Sequence, residues 1–215
     1  MMQNPKVQGL VIGANGEMCF NKQPVTSHTL FKYEYNEGFL IALAKTDQGR
    51  KLLSETRDNE GKLIFPALVG RHEGLAFELM GDEEGMELLK RTKNDEGESA
   101  LHVAVIQHER VALRLTETPD GITLLAETVD DKKESALLDA VRFYKRVALG
   151  VTHAEDAAEA RARWTYLDSI VNNKGFSVLD EAMLWSEVAV EMAEVTGGNE
   201  ILAELKQGNS RKLRR

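Results

Sequence analysis

The stretch ESALHVAVIQHERVALRLT at residues 98–116 decides the fold, because it recurs 36 residues later as ESALLDAVRFYKRVALGVT at 134–152. Eleven of the 19 paired residues are identical. The same spacing relates Gly49 to Gly85 and Gly121, each followed three and four residues later by leucines. Repetition with a fixed period of this length is typical of solenoid architectures. We count about five units, which begin near residues 36, 58, 94, 130 and 172.

The copy at 135–151 shows the periodicity of an amphipathic helix, with apolar residues at 137, 138, 140, 141, 144, 147, 148 and 151. This is the i, i+3, i+4, i+7 spacing of one helical face, so we predict helices here and in the near-identical copy before it. Thr118-Pro119 predicts a further helix start, because a hydroxyl caps the first turn and proline is tolerated in it. Thr152 with Glu155 resembles a capping box and predicts another start.

Strands remain an alternative for part of the chain. Residues 111–116 and 122–128 alternate around Pro119-Asp120-Gly121, and residues 75–80 and 86–91 could form a second hairpin. This alternative is an α+β protein, with an antiparallel β-sheet domain at 1–130 followed by a C-terminal helical bundle at 131–207.

We favour a mainly α protein, in which a helical-hairpin repeat array follows a small N-terminal β element. Apolar residues at 9–12 and 18–20 flank a turn sequence, which is typical of a β-hairpin. The predicted organisation is therefore a β-hairpin or cap at 1–35, a repeat-like helical region at 36–207 and a flexible basic tail at 208–215.

The segment NDEGESALHVA at 94–104 resembles the ankyrin-repeat junction and first helix, in which an Asp/Asn turn and a glycine precede Thr-Pro-Leu-His-x-Ala. NNKGFSVLDEA at 172–182 follows the same pattern, as do residues 130–140 with Lys133 in the glycine position. The period departs from the family's usual value of about 33 residues, and no unit has that proline. The resemblance covers about residues 36–205 and implies stacked two-helix units that bind other proteins through turn tips and first-helix faces.

The resemblance also implies where partners would bind. The turn tips would contribute polar contacts from Asn94, Asp95, Asp131, Lys132, Asn173 and Lys174. Aromatic side chains dominate binding hot spots, so we add Phe143 and Trp185 as candidate anchors, at places that correspond in two units.

Charge is unevenly distributed along this acidic chain, whose net charge is −8. Residues 1–130 hold 14 basic and 21 acidic side chains, whereas residues 131–215 hold 13 and 14. A basic partner protein would complement the first part. The basic tail suggests a second function, contact with nucleic acid or an acidic partner, through Lys206, Arg211, Lys212, Arg214 and Arg215.

No motif of catalysis, nucleotide binding or metal binding is present, and the chain has a single cysteine and five histidines in no ligand spacing. We therefore expect no cofactor and no metal. The favoured function is a non-enzymatic protein–protein interaction module, an adaptor or inhibitor, and an enzyme on an α+β scaffold is a third class. No apolar run approaches about 18 residues, so we expect a soluble cytoplasmic protein that does not bind membranes.

Overall fold

The structure, a computed structural model, describes residues 10–12, 18–20 and 23–212. This part of the chain contains 15 helices and one small sheet. The chain divides into two compact units, residues 1–107 and residues 108–215, called here the N-terminal half and the C-terminal half. The prediction of a mainly α protein with a small N-terminal β element is confirmed.

The N-terminal sheet is antiparallel and has three short strands, β1 (Leu10–Ile12), β2 (Met18–Phe20) and β3 (Gln23–Pro24). Val11 pairs with Cys19 across the first two strands. The sheet is anchored by Phe20, whose ring lies 4.8 Å from that of Tyr33 and 4.6 Å from that of Phe39. Tyr33 ends a helix, α1 (Ser27–Tyr33), which lies within the segment predicted as a β-hairpin or cap.

Seven helices build the rest of the N-terminal half. They are α1 (Ser27–Tyr33), α2 (Glu37–Ala44), α3 (Asp47–Glu55), α4 (Phe65–Arg71), α5 (Glu73–Leu79), α6 (Glu83–Arg91) and α7 (Ala100–Gln107). Equivalent helices stack on each other, since α2 packs on α5, α3 on α6 and α4 on α7. The core lies between them and includes Phe39, Phe65 and Leu101, which are fully buried.

The C-terminal half continues the same order of helices. They are α8 (Glu109–Thr116), α9 (Pro119–Glu127), α10 (Ala136–Phe143), α11 (Lys145–Thr152), α12 (Ala157–Ser169), α13 (Val178–Ala182), α14 (Ser186–Glu194) and α15 (Gly198–Lys212). Again α8 packs on α11 and α11 on α14, while α10 packs on α13 and α12 on α15. Trp164 is the largest fully buried side chain, and its Nε1 donates to the Thr152 carbonyl at 2.8 Å.

Each complete unit contains three helices, where the sequence predicted two. An extended residue between the first two helices caps the second one: His72, His108, Tyr144 or Trp185. It is the single residue between the two helices in three units, whereas Met183 and Leu184 also separate α13 from α14. The third helix begins at a capping side chain, such as Asp82 or Thr118, which accepts from the amide of Gly85 or Gly121. The predicted helix start at Thr118-Pro119 is therefore confirmed. The one predicted at Thr152 is wrong, because Thr152 ends α11 and Asp156 caps α12.

A tight hairpin turn precedes four of the first helices. The turns are closed by the isolated bridges Arg57–Leu63, Lys93–Ser99, Val129–Ser135 and Val171–Ser177. In each turn the Oδ1 atom of Asp58, Asn94, Asp130 or Asn172 accepts from the backbone amide four residues on. The left-handed position is glycine in three turns and Lys133, with φ 64°, in the fourth. Lys133 thus takes the glycine position, as the sequence predicted.

The α+β alternative is wrong, because the segments considered as strands at 75–80, 86–91, 111–116 and 122–128 fold as α5, α6, α8 and α9. Helix α15 continues through 208–212. Gly208 does not end it, since a glycine inside a helix costs only about 1 kcal/mol relative to alanine. The flexibility predicted for the segment 208–215 stays a prediction.

Candidate interaction surface

The hairpin turns expose most of the predicted contact residues. Asp95, Asp131, Lys132, Asn173 and Lys174 are all exposed. Asn94 is half-buried and builds its turn, because its Oδ1 accepts from the amides of Glu96 and Glu98 at 3.0 Å and its Nδ2 donates to the Glu98 carboxylate at 2.7 Å. These contacts give Asn94 a structural role in its turn.

The N-terminal half has a groove of about 430 Å³ between two turn tips and the first helices, called here the N-terminal groove. Apolar side chains from α1, α4 and α7 line it, including Phe31, Leu68 and Val103. Its charged lining residues are Glu34, Asp58, Lys62, Arg71, Asp95, Glu96 and Glu98. Five carboxylates against two cations make this groove acidic.

Neither cation of the N-terminal groove removes that acidic character. Lys62 lies 3.1 Å from the Glu60 carboxylate and 3.7 Å from that of Asp95, and the hydrogen bond to Glu60 raises the pKa of Lys62. The guanidinium carbon of Arg71 lies 5.7 Å from the centre of the Tyr35 ring. The lysine charge is thus shared among carboxylates, and the arginine is held over an aromatic face.

The C-terminal half has a larger cavity of about 1010 Å³, called here the C-terminal cleft. It lies against the turn at 172–176 and between α13 and α15. Its apolar lining residues are Phe176, Leu179, Met183, Leu184, Leu202 and Leu205. Phe176 is 53% exposed and Leu184 is 78% exposed. Such exposure of large apolar side chains beside a cavity is typical of interaction sites.

An ion-pair cluster around Arg142 forms the polar side of the C-terminal cleft. Its guanidinium donates to Asp139 at 2.8 Å, to Glu181 at 3.0 Å and to Glu134 at 3.3 Å. The hydrogen bond to Glu181 raises the pKa of Arg142, so the side chain stays charged. The cluster links α10 to α13 and fixes one wall of the cleft.

The aromatic candidates have different surroundings. Phe143 is 54% exposed at the end of α10. Trp185 is half-buried, and its Nε1 donates to the Val141 carbonyl at 2.9 Å, so it holds α14 to the preceding unit. The structure also changes their correspondence, because Tyr144 and Trp185 occupy the same capping position. Phe143 therefore corresponds to Leu184.

The basic residues near the C-terminus are only partly described. Lys206 is exposed on α15 and lines the C-terminal cleft. The backbone of Arg211 and Lys212 belongs to α15. Arg214 and Arg215 lie outside the described residues, so their predicted contact with nucleic acid or an acidic partner stays a prediction.

Side chains that could do chemistry are dispersed. Among the described residues, no three His, Cys, Asp or Glu side chains are grouped so as to hold a metal ion. His72 and His108 occupy helix junctions, where the His72 ring contacts the Glu34 carbonyl at 2.7 Å, and His102 is fully buried in α7. In the described part of the chain, every helix is too short or too polar to cross a bilayer.

Comparison of the chain with protein-family models, with curated proteins and with solved structures gives no match. The candidate surface therefore rests on the chain's own geometry. Phe176 and Leu184 are not among the contact residues predicted from the sequence, although aligning the units shows both positions. Phe176 lies where the other turns have Lys62, Glu98 and Glu134. Leu184 lies where the earlier first helices end in Arg71, Gln107 and Phe143.

Proposed function

We propose that this protein is a non-enzymatic interaction module, an adaptor or inhibitor, built as an ankyrin-like helical array that binds a partner protein. The observation that carries the proposal is that both halves have a cavity lined by a hairpin turn and first helices. The recurrent turns and stacked equivalent helices support the ankyrin-like assignment. We propose a cytoplasmic location, to which a chain with a single cysteine, unable to form an internal disulfide, is suited.

The N-terminal groove indicates the chemistry of one partner segment. Its walls offer Phe31 and Val103 to apolar side chains, and its rim holds five carboxylates. A basic segment with interspersed apolar residues would complement both features. We therefore propose that the partner inserts a Lys/Arg-rich segment into the N-terminal groove.

Charge reversal within and outside the groove tests this proposal. A displayed library of random peptides is selected on the full-length protein, and the affinity of the selected peptides is measured for two double variants. Asp95→Lys with Glu96→Lys alters the groove rim. Glu83→Lys with Glu87→Lys makes the same change of net charge on α6, outside the groove lining.

We expect the selected peptides to be rich in Lys and Arg, and the groove variant to weaken their binding at least about tenfold. The α6 variant should weaken binding less than about threefold, because its charges act only at longer range. Selection of acidic or wholly apolar peptides, or an equal loss in both variants, would show that the groove does not recognise a basic segment.

A further inference from the structure

The packing of each half defines a recurring site for a helix. In the N-terminal half, α7 packs against the preceding first helix, α4, and the preceding third helix, α6. In the C-terminal half, α13 packs in the same way against α10 and α12. A first helix and the third helix of the same unit thus form a seat that accepts one further helix.

Helices α13 and α15 form the same pair at the end of the C-terminal half. Leu179 of α13, the following residues Met183 and Leu184, and Leu202 and Leu205 of α15 all line the C-terminal cleft. The described residues provide no helix that fills this seat. The volume of about 1010 Å³ and the 78% exposure of Leu184 are consistent with an apolar seat open to solvent.

Charge around the seat favours a basic occupant. The carboxylates that line the cleft are Glu134, Asp168, Asp180 and Glu181, and its cations are Arg142, Lys174 and Lys206. The neighbouring helix α14 adds Glu187, Glu191 and Glu194 around a cavity of about 490 Å³. Ion pairs already join neighbouring second helices of the C-terminal half. Lys145 of α11 lies 3.0 Å from Glu187 of α14, and Arg146 of α11 lies 3.8 Å from Glu109 of α8.

We propose that the C-terminal cleft is a docking site for an amphipathic helix of a partner protein, with an Ala/Leu-rich face and flanking Lys or Arg residues. The apolar face would take the position that a following first helix would occupy, against α13 and α15. The basic flank would contact the carboxylates of α13 and α14. This proposal uses residues other than those of the N-terminal groove and stands without the basic segment proposed there.

The chain itself supplies a suitable probe. Residues 134–152 form α10 and α11, with small apolar residues on one face and Arg142, Lys145 and Arg146 beside it. A fluorescein-labelled peptide of this sequence is titrated with the full-length protein and its anisotropy is followed. The control peptide contains Ala140→Glu, which places a charge on the apolar face.

Two separate variants test the seat, Leu184→Glu and Phe176→Glu, because both side chains are more than half exposed and their replacement leaves the core intact. Tyr166→Glu on α12, outside the cleft lining, is the matched control. Circular dichroism verifies that each variant keeps its helix content.

We expect saturable binding of the probe peptide that weakens at least about tenfold in each cleft variant and with the control peptide, but less than about twofold in Tyr166→Glu. Absence of saturable binding, or equal binding by wild type and Leu184→Glu, would overturn the proposal. A concentration-dependent dimer in sedimentation that is lost in Leu184→Glu, without peptide binding, would assign the cleft to a second copy of this chain and also overturn it.

Discussion

Replacing Gly85 by alanine tests the packing that defines the repeating unit. A Cβ at Gly85 would lie 2.2 Å from the Leu79 carbonyl oxygen, and the repeat-equivalent Gly49 and Gly121 meet Leu43 and Leu115 in the same way. An ordinary carbon–oxygen contact is about 1 Å longer, so α5 and α6 would have to separate. Overpacking of this kind costs about 1–3 kcal/mol or more, while the gain in helix propensity returns at most about 1 kcal/mol. We expect Gly85→Ala to lower the free energy of unfolding by about 2 kcal/mol.

Gly150→Ala is the matched control, because Gly150 also lies in a helix but a Cβ there would have no neighbour within 4 Å. This variant should gain up to about 1 kcal/mol from helix propensity. Urea unfolding followed by circular dichroism measures both variants against wild type. A destabilisation of both variants, or an increase in stability for Gly85→Ala, would refute the argument that the recurrent glycines permit close approach of the second and third helices.

Three further predictions concern single local features. Lys133→Gly should raise the free energy of unfolding by about 0.5–1 kcal/mol, because Lys133 has φ 64°; Lys133→Ala should bring no such gain in the same urea titration. Ser135→Ala should lower it by about 1 kcal/mol, because the Ser135 hydroxyl accepts from the Leu138 amide at the start of α10; an unchanged urea midpoint would argue against that cap. The hydrogen bond from Arg50, followed by that from the Gly85 amide, lowers the pKa of Asp82 in the folded protein. The ionised Asp82 therefore stabilises the fold fully above the pKa that Asp82 has in the unfolded chain, and this stabilisation is lost as pH falls through its pKa in the folded protein. The stability advantage of wild type over Asp82→Asn at pH 7 should therefore shrink in urea titrations below about pH 4, and an advantage that grows on acidification would contradict this sign.

The hairpin turns and first helices could be predicted because their signals are local. Asp or Asn, a glycine three residues on and a hydroxyl cap before an apolar helix specify the turn at 94–99 directly. Even Lys133 could be assigned to the left-handed position by alignment of the units. The turn and cap contacts that these residues make all lie within about ten residues of sequence.

The three-helix composition of the units and the cleft could not be predicted in the same way. Helices α5, α6, α8 and α9 are seven to nine residues long, about two turns, over which helical and alternating patterns are hard to distinguish. The C-terminal cleft is formed by residues that are far apart in the sequence, so it depends on how α13 and α15 are placed in the folded chain. When the units are aligned, Phe176 lies at a position that is otherwise polar, whereas Leu184 corresponds to the apolar Phe143. That both residues line one cavity is evident only from the packed structure.

Site-specific photo-crosslinking tests most directly the central claim that a partner protein binds at turn tips and first helices. A photoreactive amino acid is placed at position 95 or 176 on that surface, and at position 90 on α6 or 166 on α12 as controls. After irradiation in extract of the native cell, the account predicts that positions 95 and 176 give a discrete crosslinked protein and that positions 90 and 166 do not. Crosslinks from the control positions alone, or from none of the four, would contradict it.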